Sequence, residues 1–370
     1  MNSRRLRTGF STGTAAAAAA KAATLTALGQ APAKVEVSLP DGGRLEIAVS
    51  QCRLLAPAQA LAVVIKDAGD DPDVTNKAAI RASVRLLPAG DGAAEVRVLG
   101  GDGVGLVTRP GLPVAPGAPA INPVPRQMIE KAVRQAVAWA APGATLTAEV
   151  VVSVAGGQEL ARHTLNPRLG VVGGISILGT TGLVKPFSHQ AYTETIDLCL
   201  SVATAAGLSE VVLTTGGKSE KWAQALRPDL PEAAMIQIAD FFGYALAACA
   251  KAGLRQVGLV SFFGKAVKQA SGLEYTHARQ AVMDLAQLAE WLGQAGLDQA
   301  AAQSVAQANT ARHALDLLRE LGRLELVSQV GRRMLTAAEH WAGPGLRPWA
   351  VVLDYDGQPL WDSRAQGGQA

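Results

Sequence analysis

Three loops in this 370-residue sequence combine hydroxyls, glycines and cations in patterns suited to holding a charged ligand. The densest is Arg7-Thr8-Gly9-Phe10-Ser11-Thr12-Gly13-Thr14, which opens a run of alanines. A helix beginning there presents free backbone N–H groups, and hydroxyls with Arg7 beside them make an anion site. The plainer role is that Ser and Thr only cap the helix; residue types alone leave both open. Gly179-Thr180-Thr181-Gly182 and Thr214-Thr215-Gly216-Gly217-Lys218 each follow an apolar, strand-like run. Open α/β sheets bind ligands beyond the carboxyl ends of their strands. Either loop alone reads as a tight connection, but the two together with Gly264-Lys265 favour a site. Among the histidines only His277, following Glu274-Tyr275-Thr276 and not far beyond Lys265, suggests a functional role, with a surface helix start as its alternative.

Several look-alikes fail on spacing. Thr215-Gly216-Gly217-Lys218-Ser219 ends like a phosphate-binding P-loop, yet the earlier glycine position is Val212. Gly100-Gly101-Asp102-Gly103-Val104-Gly105 lacks the dinucleotide spacing and reads as a hairpin turn. HExxH and GxSxG are absent, and the Asp67 to Asp73 cluster does not fit a calcium loop. That acidic stretch reads as a cap, with Asp73 or Thr75 at the start of a following helix. His163, His189, His277, His313 and His340 have no metal-ligand spacing, and His189 and His313 fall on exposed helix faces. What remains is a set of small-residue loops suited to a reaction that runs on positioning.

Composition narrows the class. A net charge of +3 with no Lys/Arg block argues against nucleic acid. Cys52, Cys199 and Cys249 are scattered, which excludes a disulfide framework and a zinc site. The basic start precedes alanines only, not the leucine-rich core of a signal peptide. No stretch approaches the ~18 apolar residues of a membrane span. The expected compartment is the cytoplasm.

The elements that position these loops follow from periodicity. A helix is expected from about Ala15 to Leu28, closed by Gly29. Alternation at Val35, Val37, Leu39 and at Leu45, Ile47, Val49 around Asp41-Gly42-Gly43 predicts a hairpin. Glu95 to Leu99 and Leu106 to Thr108 read as a second hairpin. Met128, Ile129, Ala132, Val133 and Ala136 mark one helical face after a Pro-rich stretch. From about Asn166 the pattern becomes strand, Gly-turn, helix, which predicts an open parallel α/β sheet, followed by a helical tail from about Thr276 to His340 and a terminal hairpin. The expected fold is therefore two domains, α+β with hairpins over 1–165 and α/β over 166–370.

The same loops resemble, in order along the chain, the signatures of the cobalt-precorrin-5B C1-methyltransferases, the CbiD family. Thr8 to Ala15 is similar to that family's opening signature, as are Ala68 to Asn76, Pro119 to Arg126, Gly174 to Gly182 and Thr214-Thr215-Gly216. The resemblance covers essentially the whole chain and implies methylation of C1 of a corrin precursor in anaerobic cobalamin biosynthesis. S-Adenosyl-L-methionine would be the cofactor and cobalt-precorrin-5B the substrate, giving cobalt-precorrin-6A. On that implication Arg7, Thr12, Gly13, Thr14 and Arg126 are expected to bind the corrinoid's carboxylates. Gly179, Thr180, Thr215, Gly216 and Asp240 are expected to hold the cofactor, Asp240 at the ribose. Lys265 and His277 are the catalytic candidates. No nucleic acid, membrane or protein-bound metal is expected, and a homo-oligomer is allowed. Relatives commonly read Gly-His-Ile-Gly-Lys where Ser261-Phe262-Phe263-Gly264-Lys265 stands, and Asn-Thr-His-Ser where Tyr275-Thr276-His277-Ala278 stands. The rival readings are a nucleotide-dependent oxidoreductase and a non-catalytic corrinoid-binding carrier.

Overall fold

Alanine's helix propensity and its small volume act together at the start of the chain. The computed structural model describes residues 6–89, 94–278 and 282–366, with the Gln366 side chain left out. Helix α1 spans Thr12–Ala27, and every residue from Thr12 to Thr26 except Lys21 is buried. A helix that is buried all round must sit inside a core. The chain divides after Ser188 into two compact units, and α1 is the centre of the first.

In that unit β1 (Lys34–Ser38) and β2 (Arg44–Ala48) form the expected hairpin, with Val35 opposite Ile47 and Val37 opposite Leu45. Strands β3 (Gln51–Ala56), β4 (Gln59–Ile65), β5 (Ala79–Pro88), β6 (Val96–Gly100) and β7 (Leu146–Val154) make a mixed sheet. Their order is β3-β4-β5-β7-β6, antiparallel except for the parallel β7/β6 pair. Helix α1 packs on β4 and β5 and against α2 (Pro123–Ala140), where alanine leaves room for close approach.

The second hairpin does not form. β6 pairs in parallel with β7 instead, while Leu106-Val107 pairs with Val171-Val172 and Gly103-Val104 with Gly174-Ile175. The core side of β6, with Val98 buried, needs a neighbour in the main sheet, which a local hairpin would deny it. Those pairings also move the expected domain boundary. Residues 166–188 belong to the first unit, and the strand-like run ahead of Gly179 forms only the two-residue strands Val171–Val172 and Gly174–Ile175 within it. No helix follows the acidic loop, since 74–77 forms turns that lead into β5.

The second unit begins with α3 (His189–Ala205) and continues with β8 (Glu210–Thr214), α4 (Gly217–Leu226), β9 (Met235–Gln237), α5 (Phe242–Lys251), β10 (Gln256–Phe262) and α6 (Phe263–Ala270). Four helices follow, α7 (Leu285–Gln294), α8 (Gln299–Ala306), α9 (Ala311–Glu320) and α10 (Val327–Ala342). The unit closes with β11 (Arg347–Leu353) and β12 (Pro359–Asp362). The sheet order is β9-β8-β10-β11-β12, parallel except for β12. Val211 to Leu213, Val257 to Val260 and Ala350 to Leu353 are buried, as parallel strands covered on both faces require. One face carries α4 through Ala223, and the other a larger core with Ile196, Leu246, Phe263 and Met334. The expected helical tail is thus an inserted layer, because β11 returns after α10 to extend the sheet. Residues 279–281 of that expected run lie outside the described residues. Among the described residues no helix is long and apolar enough to cross a membrane.

Candidate functional site

In the first unit, the hydroxyl-rich start of α1 is closed by its own chain. Ser11 takes the N-cap position and accepts the Thr14 N–H at 3.1 Å. Thr12 Oγ1 accepts from Leu178 N at 2.9 Å and lies 3.3 Å from the Ser176 and Leu178 carbonyls, to which it donates. Gly13 N donates to Leu178 O at 3.0 Å, and Thr14 Oγ1 donates to Gly182 O at 2.6 Å. The groups expected to grip an anion therefore hold the 176–182 loop, and Thr12 and Thr14 are only 3% and 0% exposed. Gly179, expected at the cofactor, adopts φ +128° in this loop, where a Cβ would lie 2.4 Å from Ser11 Cβ. Thr180 is exposed beside it. Both stand in the first unit, separated by the division of the chain from the Thr215, Gly216 and Asp240 they were grouped with.

Arg7 is engaged by the acidic loop. Its guanidinium forms a two-point ion pair with Asp67, with Nη2 3.0 Å from Oδ1, and its N–H donates to Asp70 at 2.7 Å. This contact and the Gly69 N–H pull the Asp67 carboxyl down to about 2. Arg126, half-buried on the first turn of α2, donates to Val98 O at 2.9 Å. Asp73 is no helix cap. It pairs at 2.6 Å with Lys66, which is 1% exposed, and accepts from Thr75 N–H and Oγ1. Burial works against its ionisation, but Lys66 and Thr75 outweigh that and keep the carboxyl below its ordinary range.

The second unit brings its sequence candidates together at one sheet edge. The chain runs from β8 out to β9 and then back across to β10, so the connections after β8 and β10 diverge. That is a topological switch point, where an open α/β sheet leaves a crevice. Thr215-Gly216 leaves β8 there, and Lys265 stands one turn into α6 after β10. Ser219, buried in α4, organises the first loop: its Oγ accepts from Thr215 N at 3.1 Å and Gly216 N at 3.2 Å and donates to Gly216 O at 2.9 Å. Nothing lies within 4 Å of where a Gly216 Cβ would stand, so the backbone there is open to a ligand.

Asp240 follows β9 after Ala239, whose φ of +45° is uncommon for a non-glycine residue. Its carboxylate does not cap α5, which starts at Phe242. It pairs instead with Lys265 and accepts from Thr276 Oγ1 at 3.1 Å, while Thr276 N donates to the Asp240 carbonyl at 3.0 Å. Lys265 Nζ stands 3.4 Å from Thr276 Oγ1, and Lys268 donates to the Thr276 carbonyl at 3.3 Å. Burial, then repulsion from Lys265, lowers the Lys268 ammonium below its ordinary range. Thr276 is 0% exposed and fastens all three.

Around this knot the rings gather. Phe241 contacts His189 (centroids 5.3 Å apart), Tyr192 (5.1 Å) and Tyr275 (5.0 Å). His189 Nε2 lies 3.1 Å from the Tyr275 hydroxyl, and His277 lies nearly parallel to Tyr275, 5.9 Å away. Burial and the Asp240 charge both raise the phenols of Tyr192 and Tyr275. At the end of β11, Tyr355 stacks with Phe262 and carries the Arg312 guanidinium 4.0 Å from its ring centre.

Of the residues gathered here, Asp240, Lys265 and His277 are candidates the sequence offered; Thr276, Tyr275, Phe241, Tyr192 and His189 are not among them. The available signal was scarcity: aromatics make up 4% of the chain, yet two of its four tyrosines meet here.

Comparison with known proteins sets these features in context. The CbiD family model matches residues 1–186, and the model of the CbiD C-terminal domain matches residues 275–364. A cobalt-precorrin-5B C(1)-methyltransferase of Nitratidesulfovibrio vulgaris is 47% identical, over 96% of this chain and 92% of its own length. One of the same name from Thermus thermophilus is 48% identical, over 95% of this chain and 92% of its own length. A 1.9 Å crystal structure of a cobalamin biosynthesis protein (cbiD) from Archaeoglobus fulgidus is similar at 28% identity. It covers 70% of this chain and 78% of that one, with a TM-score of 0.40.

Proposed function

The chain belongs to the CbiD family, and on that premise we propose that it transfers a methyl group from S-adenosylmethionine to C1 of cobalt-precorrin-5B, giving cobalt-precorrin-6A. Near-full-length identity to curated methyltransferases supports the reaction class. The observation that supports a place for the cofactor is the switch point of the sheet, with an open Gly216 backbone after β8 and Asp240 after β9. The donor, when bound, supplies a sulfonium-activated methyl: its C–S bond breaks as the new C–C bond forms, and S-adenosylhomocysteine leaves.

The protein's own part is positioning, which in a good orientation is worth about 7–11 kcal/mol. Thr215 and Gly216, held by Ser219, line the cofactor side, and Asp240 marks its polar end. Lys265 is held by Asp240 and Thr276, which leaves the neighbouring Lys268 as the cation whose charge is not offset and which can meet a substrate carboxylate. His277 stands at the outer edge, where a ring proton can be handed on. Two tests address the two parts. Incubation with methyl-labelled S-adenosylmethionine should add one labelled methyl at C1 of cobalt-precorrin-5B, and an unmodified corrinoid would refute the reaction. Gly216→Trp has room to fold, so wild-type affinity of that variant for S-adenosylhomocysteine would refute the location.

Neither rival reading has an observation in its favour. The β8 loop lacks the glycine spacing of dinucleotide and P-loop sites, and the curated relatives are named as methyltransferases.

A further inference from the structure

We propose that the ring cluster around Phe241, bordered by Lys265 and Lys268, is a seat for the flat conjugated face of a carboxylate-rich macrocycle, the corrinoid itself. The inference rests on the methyl-transfer reading above and adds where the acceptor lies.

Three observations converge on it. First, the cluster runs from the core, against which Tyr192 and Tyr275 pack, out to solvent. Phe241 is 9% exposed and already joins the main core of the unit, whereas Tyr192, Tyr275 and His277 are half-buried and His189 is exposed. Aromatic rings left partly open to solvent in a chain poor in aromatics are apolar surface available to a flat ligand. Second, the outermost rings are aligned, since Tyr275 and His277 lie within 15° of parallel. A conjugated ring system can stack on such a pair, and the imidazole and phenol edges remain wet. Third, the charge at the border matches. Lys265 and Lys268 are both tied to Thr276, and Asp240 is the carboxylate that pairs with Lys265. One ammonium is left over for a ligand carboxylate. Glu274, on the same loop, is exposed and carries the opposing charge. All of this lies at the carboxyl edge that also carries Gly216, so a macrocycle seated here would face the crevice assigned to the donor.

The competing account is that the rings merely close the packing of α3 on α5. The two accounts differ in what the outer rings do. Equilibrium dialysis of the full chain against hydrogenobyrinic acid, a metal-free corrin with no axial ligands, and against its heptamethyl ester, read by corrin absorbance, separates ring stacking from charge. Y275A and H277A should each weaken both probes about tenfold, which corresponds to ~1.4 kcal/mol. K268M should weaken the acid several-fold and leave the ester unchanged. S-Adenosylhomocysteine affinity serves as the folding control and should be retained throughout. Wild-type affinity of Y275A and H277A for both probes would overturn the proposal. If Y275A loses S-adenosylhomocysteine as well, H277A at the outer edge decides alone. Should the wild-type chain bind the probes through these rings yet transfer no methyl, the reaction reading falls and the seat stands. Should it transfer methyl while the ring variants bind both probes normally, the seat falls and the reaction stands.

Discussion

Thr12→Val distinguishes a hydroxyl that binds ligand from one that binds the protein. Valine keeps the shape of threonine and removes only the γ-oxygen. In the wild type that oxygen accepts the Leu178 N–H at 2.9 Å and donates, at 3.3 Å, to the 176 and 178 carbonyls. The donated bonds are long, so most of the loss is the Leu178 N–H left without its partner beside a side chain 3% exposed. An unsatisfied buried donor costs about 1–3 kcal/mol, so a loss of about 2 kcal/mol is expected. The first unit ends at Ser188; for a unit of that size this loss lowers Tm by about 4–8 °C. Differential scanning calorimetry of the full chain reads that shift. Dialysis against hydrogenobyrinic acid reads affinity, which should not move. An unchanged Tm with about tenfold weaker corrinoid binding would refute the reasoning and return Thr12 to the ligand.

Three further outcomes are expected. Gly69→Ala should destabilise the first unit strongly, because φ is +68° and a Cβ would lie 2.1 Å from the Arg7 carbonyl oxygen. The left-handed backbone adds about 1–2 kcal/mol and displacement of the crossing strand about 1–3 more, readable as a lowered urea midpoint. Asp67 is held at about 2 by Arg7, below the 3.8 of a free carboxyl. Its contribution to stability is therefore present above pH 3.8 and lost as pH falls towards 2. Arg7→Gln should flatten stability against pH over that window, measured by circular dichroism. Finally, Cys249 is 0% exposed and burial pushes its thiol up to about 12, so a thiol reagent near pH 8 should leave it unlabelled until the chain unfolds. Cys52 and Cys199, half-buried, should react first.

Elements whose signal is local were legible before any coordinates. The strand-like run ahead of Thr215-Gly216 is β8 (Glu210–Thr214), and the β1/β2 hairpin has the register its alternation implies. The α1 helix begins three residues earlier than alanine propensity alone suggests, because Ser11 caps it. Asp240, Lys265 and His277 were also visible, through charge and position near strand ends. Pairings that join distant segments were not. Nothing near Leu106 says that its partner is Val172, and nothing near Val96 says that it pairs in parallel with Ala148. The strand-like run after Gly170 therefore suggested a second domain that in fact starts at His189.

By itself the sequence determined α1, the β1/β2 hairpin, the family and which loops are chemically notable, because propensity, periodicity and motif order are properties of neighbouring residues. Only the tertiary structure decided which partners the notable groups meet. The hydroxyls of Thr12 and Thr14 look free in a sequence and are spent on the carbonyls of a loop more than 160 residues away. Asp240, expected at a ribose, is a partner of Lys265 and Thr276. A polar group in a folded chain must find a partner or water. Which of the two it finds depends on what the fold brings beside it.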